Sequence, residues 1–215
     1  MMLQVQHLEV NIAAAQVLRG VSLNVPRHAM VGLVGSNGAG KTTFLRSVMG
    51  LVGAHAGKMI FDDADLGLIP AHRRANIGIG YMPEDRRLVP GLTVEENILL
   101  PAWATTLPNS GTRLDQIYLL LPEVAAFAGR KAIQLSGGQQ KLTAFARALM
   151  VSRSLLLLDE PFEGVAPVLA QRLVDVLVKL KEKGLSVLLA ESDSRYSSSL
   201  VDHLYVIERG KIQAE

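Results

Sequence analysis

A glycine-rich segment near the N-terminus carries the residue types that bind phosphate. It consists of Gly35, Ser36, Asn37, Gly38, Ala39, Gly40, Lys41 and Thr42, followed by Thr43. Glycines let several backbone N–H groups face one anion, and a helix beginning at about Lys41 would direct its positive end at the same anion. Because all eight positions fit the phosphate-loop pattern, an ordinary turn is the weaker interpretation. Lys41 would reach the β- and γ-phosphates of a nucleotide, and the Thr42 hydroxyl would bind Mg²⁺.

Two adjacent acids follow a second apolar run, Leu155 to Leu158. At the carboxyl end of such a strand, Asp159 would hold Mg²⁺ through water. Glu160 would act as the general base that polarises the attacking water. Alone, the pair could be a strand ending in solvated acids. Together with the phosphate loop, it predicts hydrolysis of a nucleoside triphosphate.

A third segment, Leu135 to Gln140, reads LSGGQQ and precedes an amphipathic helix. Its hydroxyl and unhindered N–H groups suit a second phosphate-binding helix N-terminus, formed by Ser136, Gly137, Gly138 and Gln139. Serine is also a common N-cap, so a simple helix cap remains an alternative.

Elements of both kinds must position these segments. Period-two alternation predicts antiparallel strands over Leu3–Val10 and Val17–Val25, and short apolar runs predict buried strands at Met30–Val34 and Ser154–Asp159. Helical spacing is found in Val94–Leu100, Leu114–Leu121, Gln139–Met150 and Val168–Lys183. The strand–helix alternation indicates an α/β fold. We expect one domain, with an α/β core and β subdomain in residues 1–84 and 151–215 and a helical subdomain in about 85–150.

With the three segments in this order, the sequence resembles the nucleotide-binding domains of ABC transporters from Leu3 to Ile212. The resemblance implies a P-loop NTPase core with a mainly parallel sheet, an N-terminal antiparallel β subdomain and an inserted α-helical subdomain. It also implies that two ATP molecules with Mg²⁺ are buried between two head-to-tail subunits, each site completed by the other subunit's Ser136 turn. The expected partners are a second ATPase subunit, membrane permease subunits and, indirectly, a solute-binding protein. The expected location is cytoplasmic, on the inner face of the membrane.

Three segments are similar to segments of the ATPases of branched-chain amino acid importers. They are Tyr81–Arg87, Leu92–Asn97 and Asp159–Pro167. This similarity implies import of branched-chain or other amino acids, or of related small polar solutes. It also implies that the surface from Glu84 to Thr93 receives a helix of the membrane partner. The cargo itself cannot be read from this chain, and both a homodimer and a heterodimer remain open.

Three positions depart from the family pattern without removing its chemistry. Ile12 lies where many relatives stack an aromatic residue on adenine, so it would offer only apolar contact. Glu84 replaces the usual glutamine of the metal-sensing loop and still offers Mg²⁺ an oxygen, although it could be only a solvated acid. Ala166 replaces an aspartate that helps the two sites communicate.

Ser192 is the departure with the largest consequence. Most relatives place a histidine there, in contact with the γ-phosphate and the attacking water. Serine is shorter and uncharged, and loss of one transition-state donor typically costs about 10²-fold in rate. Ser192 could therefore make this a low-turnover regulatory half of a heterodimer, or it could be a substitution that is compensated elsewhere.

Composition excludes several other classes of protein. The 215 residues contain no cysteine, which excludes a thiolate metal site. A net charge of +2 gives no case for nucleic acid binding. No run approaches the roughly 18 apolar residues of a membrane span, and the N-terminus lacks the pattern of a signal peptide. DNA-repair and translation ABC ATPases need coiled coils or two such domains, which this length does not fit.

Overall fold

The computed structural model describes residues 1–213 as two sheets flanked by helices. Its strands are β1 Leu3–Ile12, β2 Ala15–Val25, β3 Met30–Val34, β4 Ala56–Phe61, β5 Ala64–Asp65, β6 Ile79–Met82, β7 Leu155–Asp159, β8 Ser186–Glu191, β9 His203–Glu208 and β10 Lys211–Ile212. Its α-helices are α1 Lys41–Val48, α2 Ala71–Arg74, α3 Val94–Thr105, α4 Ser110–Leu120, α5 Pro122–Ala126, α6 Gly137–Val151 and α7 Pro167–Glu182. Residues 214 and 215, which end the predicted core range, lie outside the described residues.

Six strands form a mainly parallel sheet in the order β10, β9, β3, β8, β7, β6. Strand β3 pairs in parallel with both β8 and β9, and only β10 runs antiparallel to its neighbour. Along β7, Leu155 and Leu157 join one apolar core, whereas Leu156 and Leu158 join the other. A run of leucines suits this strand because both faces of a parallel sheet are covered. The predicted central strand and α/β class are confirmed.

Four further strands form an antiparallel sheet in the order β2, β1, β4, β5. In the first pair, Leu3 lies opposite Val25 and Ile12 lies opposite Ala15, so β1 and β2 form a tight hairpin. The apolar side chains of β1 between Leu3 and Val10 are buried on one face, which is the reason for the alternating pattern in the sequence. The two predicted N-terminal strands are therefore confirmed, with each extending slightly beyond its predicted limits.

Helices α3 to α6 all lie between β6 and β7 in the chain. The predicted end of α3 at Leu100 was wrong, because the helix continues through Pro101 to Thr105. Proline removes only one N–H donor, and burial of Ile98 and Ala102 on either side holds the helix in place. These helices share an apolar core with Leu156 of β7, and the subdomain limits stay a prediction. Within residues 1–213, no helix is long and apolar enough to cross a membrane.

Strand β6, at the edge of the parallel sheet, was not expected from the sequence. Its four residues include Gly80, so the apolar pattern is short and interrupted. A Cβ atom on Gly80 would lie 2.3 Å from the carbonyl oxygen of Ala148, so only glycine lets α6 pack this closely on the strand. β6 matters for the site because Tyr81 lies on this strand and Glu84 lies on the loop that follows it, at the carboxyl edge of the sheet.

Candidate functional site

The glycine-rich loop leaves the carboxyl end of β3 and enters α1. The Gly35 N–H group donates to the carbonyl of Glu191 at 3.1 Å, which ties the loop to the end of β8. A Cβ atom on Gly35 would lie 2.2 Å from the carbonyl oxygen of Ile207, and Gly40 has φ 115°, a conformation that favours glycine. The first turn of α1 leaves backbone N–H groups without acceptors inside the helix. The loop is therefore built as an anion cradle at a helix N-terminus.

Lys41 is buried in this loop, with 5% of its side chain exposed. Its ammonium group donates to the carbonyl of Gly35 at 2.5 Å and to that of Ser36 at 3.2 Å. It also forms an ion pair with Glu160 Oε1 at 3.1 Å. A buried cation held by loop carbonyls and one acid presents positive charge where the cradle opens, which suits binding of a polyphosphate.

Asp159 is fully buried at the end of β7 and accepts hydrogen bonds from two hydroxyl groups. Thr42 Oγ1 donates to its Oδ1 at 3.1 Å, and Tyr81 Oη donates to its Oδ2 at 3.3 Å. The pKa of Asp159 is raised to about 6, mainly by burial and also by the charges of Glu84 and Glu160, while the hydrogen bonds from the two hydroxyl groups oppose the shift. Sequence reasoning missed Tyr81 because a tyrosine in a short apolar run looks like a core residue.

The donor set around Asp159 fits a hard divalent cation. Thr42 and Asp159 contribute oxygen atoms. Glu84 lines one cavity with both of these residues and a second cavity with Thr42. Mg²⁺ prefers such oxygens and is usually held by one or two protein groups plus substrate phosphates. Within residues 1–213, no cluster of three or more acids and histidines that could hold a metal ion is found.

Glu160 is buried beside Asp159, in a left-handed backbone conformation with φ 49°. Its carboxylate accepts the Ser192 N–H at 3.1 Å and the Ser192 hydroxyl at 2.5 Å. The Ser192 Oγ atom also lies 2.8 Å from Asn37 Oδ1 and 3.2 Å from Lys41 Nζ. Ser192 is thus brought next to the loop and the acid.

A cavity of about 400 Å³ opens in front of the loop. It is lined by Val17, Asn37, Gly38, Gly40, Lys41, Thr42, Thr43, Glu84 and Glu160. Ile12 is absent from this lining and is 47% exposed near the β1–β2 turn, so the structure places Val17, rather than Ile12, against the cavity. Contact between Ile12 and a nucleotide stays a prediction.

The turn at Ser136 starts α6 and contributes no residue to that cavity. Ser136 Oγ accepts the Gln139 N–H at 3.3 Å, and Gln139 Oε1 accepts the Ser136 N–H at 3.0 Å. This reciprocal capping box shows that Ser136 is the N-cap of α6, as the helix-cap interpretation predicted. Ser136 and Gly137 are nevertheless exposed, and Gly138 is partly exposed, so the turn is open to a second binding partner.

Glu191 is a second buried acid at this edge, 2% exposed at the end of β8. Burial raises its pKa from 4.5 to about 7, and the charges of Glu160 and Asp193 contribute to the rise. A raised pKa means that Glu191 stabilises the fold fully below about pH 4.5, and that this contribution is lost as the pH rises through about 7.

Glu191→Gln should therefore flatten the pH dependence of stability. We expect the variant to gain up to about 3 kcal/mol in free energy of unfolding relative to the wild type between pH 5 and pH 8. Urea unfolding at several pH values measures the difference, with Glu182→Gln, an exposed acid at the end of α7, as control. If the Glu191→Gln and wild-type curves stayed parallel over this range, the pKa of Glu191 would not be raised.

A sequence model described as "ABC transporter" matches residues 18–163, which contain the phosphate loop, the LSGGQQ turn and the acidic pair. The chain belongs to the ABC transporter family. It is an ATP-binding, ATP-hydrolysing subunit of that family.

Curated relatives cover almost the whole of this ABC ATPase. A probable ABC transporter ATP-binding protein of Azorhizobium caulinodans is 38% identical over 93% of this chain and 72% of its own length. The high-affinity branched-chain amino acid transport ATP-binding protein BraG of Pseudomonas aeruginosa is 34% identical, over 92% and 84% of the two chains. The lipopolysaccharide export system ATP-binding protein LptB of Haemophilus influenzae is also 34% identical, over 99% and 89%.

Solved structures agree with the fold. An ATP-binding cassette of an ABC transporter in its ADP conformation superimposes with a TM-score of 0.84 at 28% identity, covering 99% of this chain and 89% of that one. A dimeric cassette in a post-hydrolysis state, bound to ADP and Pi, has a TM-score of 0.87 at 25% identity, with 99% and 97% covered. The P-loop NTPase fold class is therefore confirmed.

Proposed function

We propose that this ABC ATPase powers import of amino acids, branched-chain or other, or of related small polar solutes. It works as a dimer at the inner face of the membrane, with permease subunits and, indirectly, a solute-binding protein. The observation that carries the ATPase chemistry is the convergence of Lys41, Thr42, Asp159 and Glu160 at one edge of the parallel sheet.

The proposed reaction splits ATP with water into ADP and phosphate. The loop N–H groups of Gly35–Thr43 bind the phosphates, and Lys41 neutralises the β- and γ-phosphates. Bound Mg²⁺, held by Thr42 and Asp159 with help from Glu84, would draw charge from the phosphate oxygens. Glu160 accepts a proton from the attacking water, and Ser192 holds its carboxylate in place.

The open turn at Ser136 supports a composite site. Its residues do not line the cavity of their own chain, yet they expose a helix N-terminus that suits an anion. We propose that Ser136 to Gln139 bind the γ-phosphate held by the loop of a second ATPase subunit. ATP binding would then close the dimer, and hydrolysis would reopen it. The second subunit could be a copy of this chain or a different one.

A groove of about 470 Å³ supports docking of the membrane partner. It is lined by Thr42, Arg46, Leu51, Tyr81, Pro83, Glu84, Asp85, Arg87, Arg147 and Asp159. It therefore connects the proposed metal-binding residues to the Glu84–Thr93 surface. A permease helix bound in this groove would contact residues that move when the site closes.

The direction of transport and the identity of the cargo are proposed from similarity to named relatives. BraG is named for amino acid transport, whereas LptB is named for lipopolysaccharide export. The test is an uptake assay in inverted and right-side-out vesicles that hold this chain and its permease subunits. ATP-dependent accumulation of a branched-chain amino acid on the side facing the ATPase supports import. Movement in the other direction, or no amino acid transport, contradicts it.

Ser192 favours a second candidate, the low-turnover regulatory half of a heterodimer. Its Oγ atom contacts Asn37, Lys41 and Glu160, which are all groups of the same chain. The same contacts also support the leading proposal, because they hold the Glu160 carboxylate in place.

Under the leading proposal, Ser192→His should change the turnover of the purified chain by less than about threefold. The reason is that the backbone N–H of residue 192 still donates to Glu160, and an imidazole N–H can replace the serine hydroxyl as the second donor. The measurement is phosphate release with saturating ATP and Mg²⁺, with Ser198→His on an exposed neighbouring segment as control. A gain approaching 10²-fold, the value of one transition-state donor, would favour the regulatory half instead.

A further inference from the structure

Lys141 is a charged side chain inside α6 that the proposed reaction does not use. It is 2% exposed, although lysine is almost never fully buried unless it is paired. Its ammonium group donates to the carbonyl of Glu160 at 2.6 Å and to that of Glu163 at 2.5 Å. Within residues 1–213, no carboxylate forms an ion pair with it.

Burial of this ammonium group is costly in free energy. Burial lowers the pKa of Lys141, the charge of Arg86 adds to this, and the charges of Glu163, Glu160 and Glu84 compensate only in part. An apolar side chain of similar volume would fill the same space without the desolvation cost. The position therefore carries a charge for a reason other than packing.

The two carbonyl groups that Lys141 binds belong to one turn, the turn that follows β7. Glu160 occupies its first position with φ 49°, and the Glu163 N–H closes it on the Glu160 carbonyl at 3.3 Å. A non-glycine residue in this left-handed region is held there by its surroundings, at a cost of order 1 kcal/mol or more. Lys141 fixes both ends of the turn and therefore the direction in which the Glu160 side chain leaves the backbone.

We propose that Lys141 is a positioning residue, which holds the Glu160 turn so that the carboxylate faces Lys41 and Ser192. This inference rests on the proposed role of Glu160 as general base. It also joins two parts of the site, because Lys141 lies on the helix that begins at the Ser136 turn. A shift of α6 when that turn meets a partner's nucleotide is thereby passed to Glu160 of the same chain.

The test compares Lys141→Met, which removes the N–H donors, with Lys141→Gln, which keeps donors on a side chain one atom shorter. We expect Lys141→Met to lower kcat by about 10- to 100-fold, the effect of a displaced catalytic group, while the Kd for ATP changes less than about threefold. Lys141→Gln should recover part of the loss. Lys58→Met, on the exposed face of β4, is the matched control.

Two results would overturn the proposal, with rates expressed per amount of folded protein by circular dichroism. These are an unchanged kcat in Lys141→Met, or equal kcat values in the Met and Gln variants. If Lys141→Met does not fold, the kcat of Lys141→Gln, reduced at unchanged Kd for ATP, carries the test.

A double variant separates failure of this inference from failure of the proposed function. If Lys141 acts through Glu160, then Glu160→Gln combined with Lys141→Met should be no slower than Glu160→Gln alone. Additive losses would overturn the inference and leave the role of Glu160 intact. Full turnover in Glu160→Gln alone would instead overturn the proposed general base.

Discussion

Glu160→Gln should lower the rate of ATP hydrolysis by about 10³-fold, within the range that a positioned general base contributes. The amide keeps the size of the side chain and can still accept the Ser192 N–H, which the carboxylate accepts at 3.1 Å. It cannot take a proton from water. The Lys41 ammonium also loses its ion pair with Glu160, so it is freer to meet the phosphates. ATP binding should therefore stay intact or tighten.

The measurement pairs phosphate release with the Kd for a fluorescent ATP analogue. Glu163→Gln, an exposed acid three residues further along the same turn, is the matched control and should keep the wild-type rate. Equal rates in the wild type and Glu160→Gln would show that the base lies elsewhere.

Lys41→Met should weaken binding of ATP by about 10²-fold or more, because it removes a buried charge worth roughly 2–5 kcal/mol against a charged partner. The Lys41 side chain is only 5% exposed, and its ammonium group is already aligned by the carbonyls of Gly35 and Ser36, so binding requires little ordering of the side chain. Methionine fills similar space but offers no donor. Lys58→Met on the surface controls for loss of net charge.

Equilibrium titration with the same analogue, at constant ionic strength, measures this change. The loss should be much smaller for AMP than for ATP, since Lys41 is assigned to the β- and γ-phosphates. A Kd for ATP that stays within threefold of the wild-type value would contradict the assignment.

Local patterns allowed prediction of much of the fold and part of the site. The phosphate loop is recognisable because its glycines and its lysine are adjacent in sequence. The four leucines of β7 similarly mark a strand with two buried faces. Such features depend on neighbours along the chain, so sequence is sufficient to find them.

The missed features depend on contacts between distant segments. Tyr81 reaches Asp159 because β6 pairs with β7, 78 positions along the chain, and a tyrosine in a short run does not indicate that pairing. Lys141 follows two glutamines and reads as part of a polar helix face. It is buried because the Glu160 turn packs against α6. The same reasoning applies to Val17, which a long hairpin brings to the cavity in place of Ile12.

The most direct test of the central claim is the mass of Glu160→Gln by light scattering, with and without ATP and Mg²⁺. Removal of the base should trap bound ATP, so closure of the composite site appears as a change in mass. We expect a shift from monomer to dimer on addition of ATP and Mg²⁺. A monomer that still binds ATP would contradict self-pairing and require a different partner subunit. A monomer that binds no ATP would contradict the assignment of the site itself.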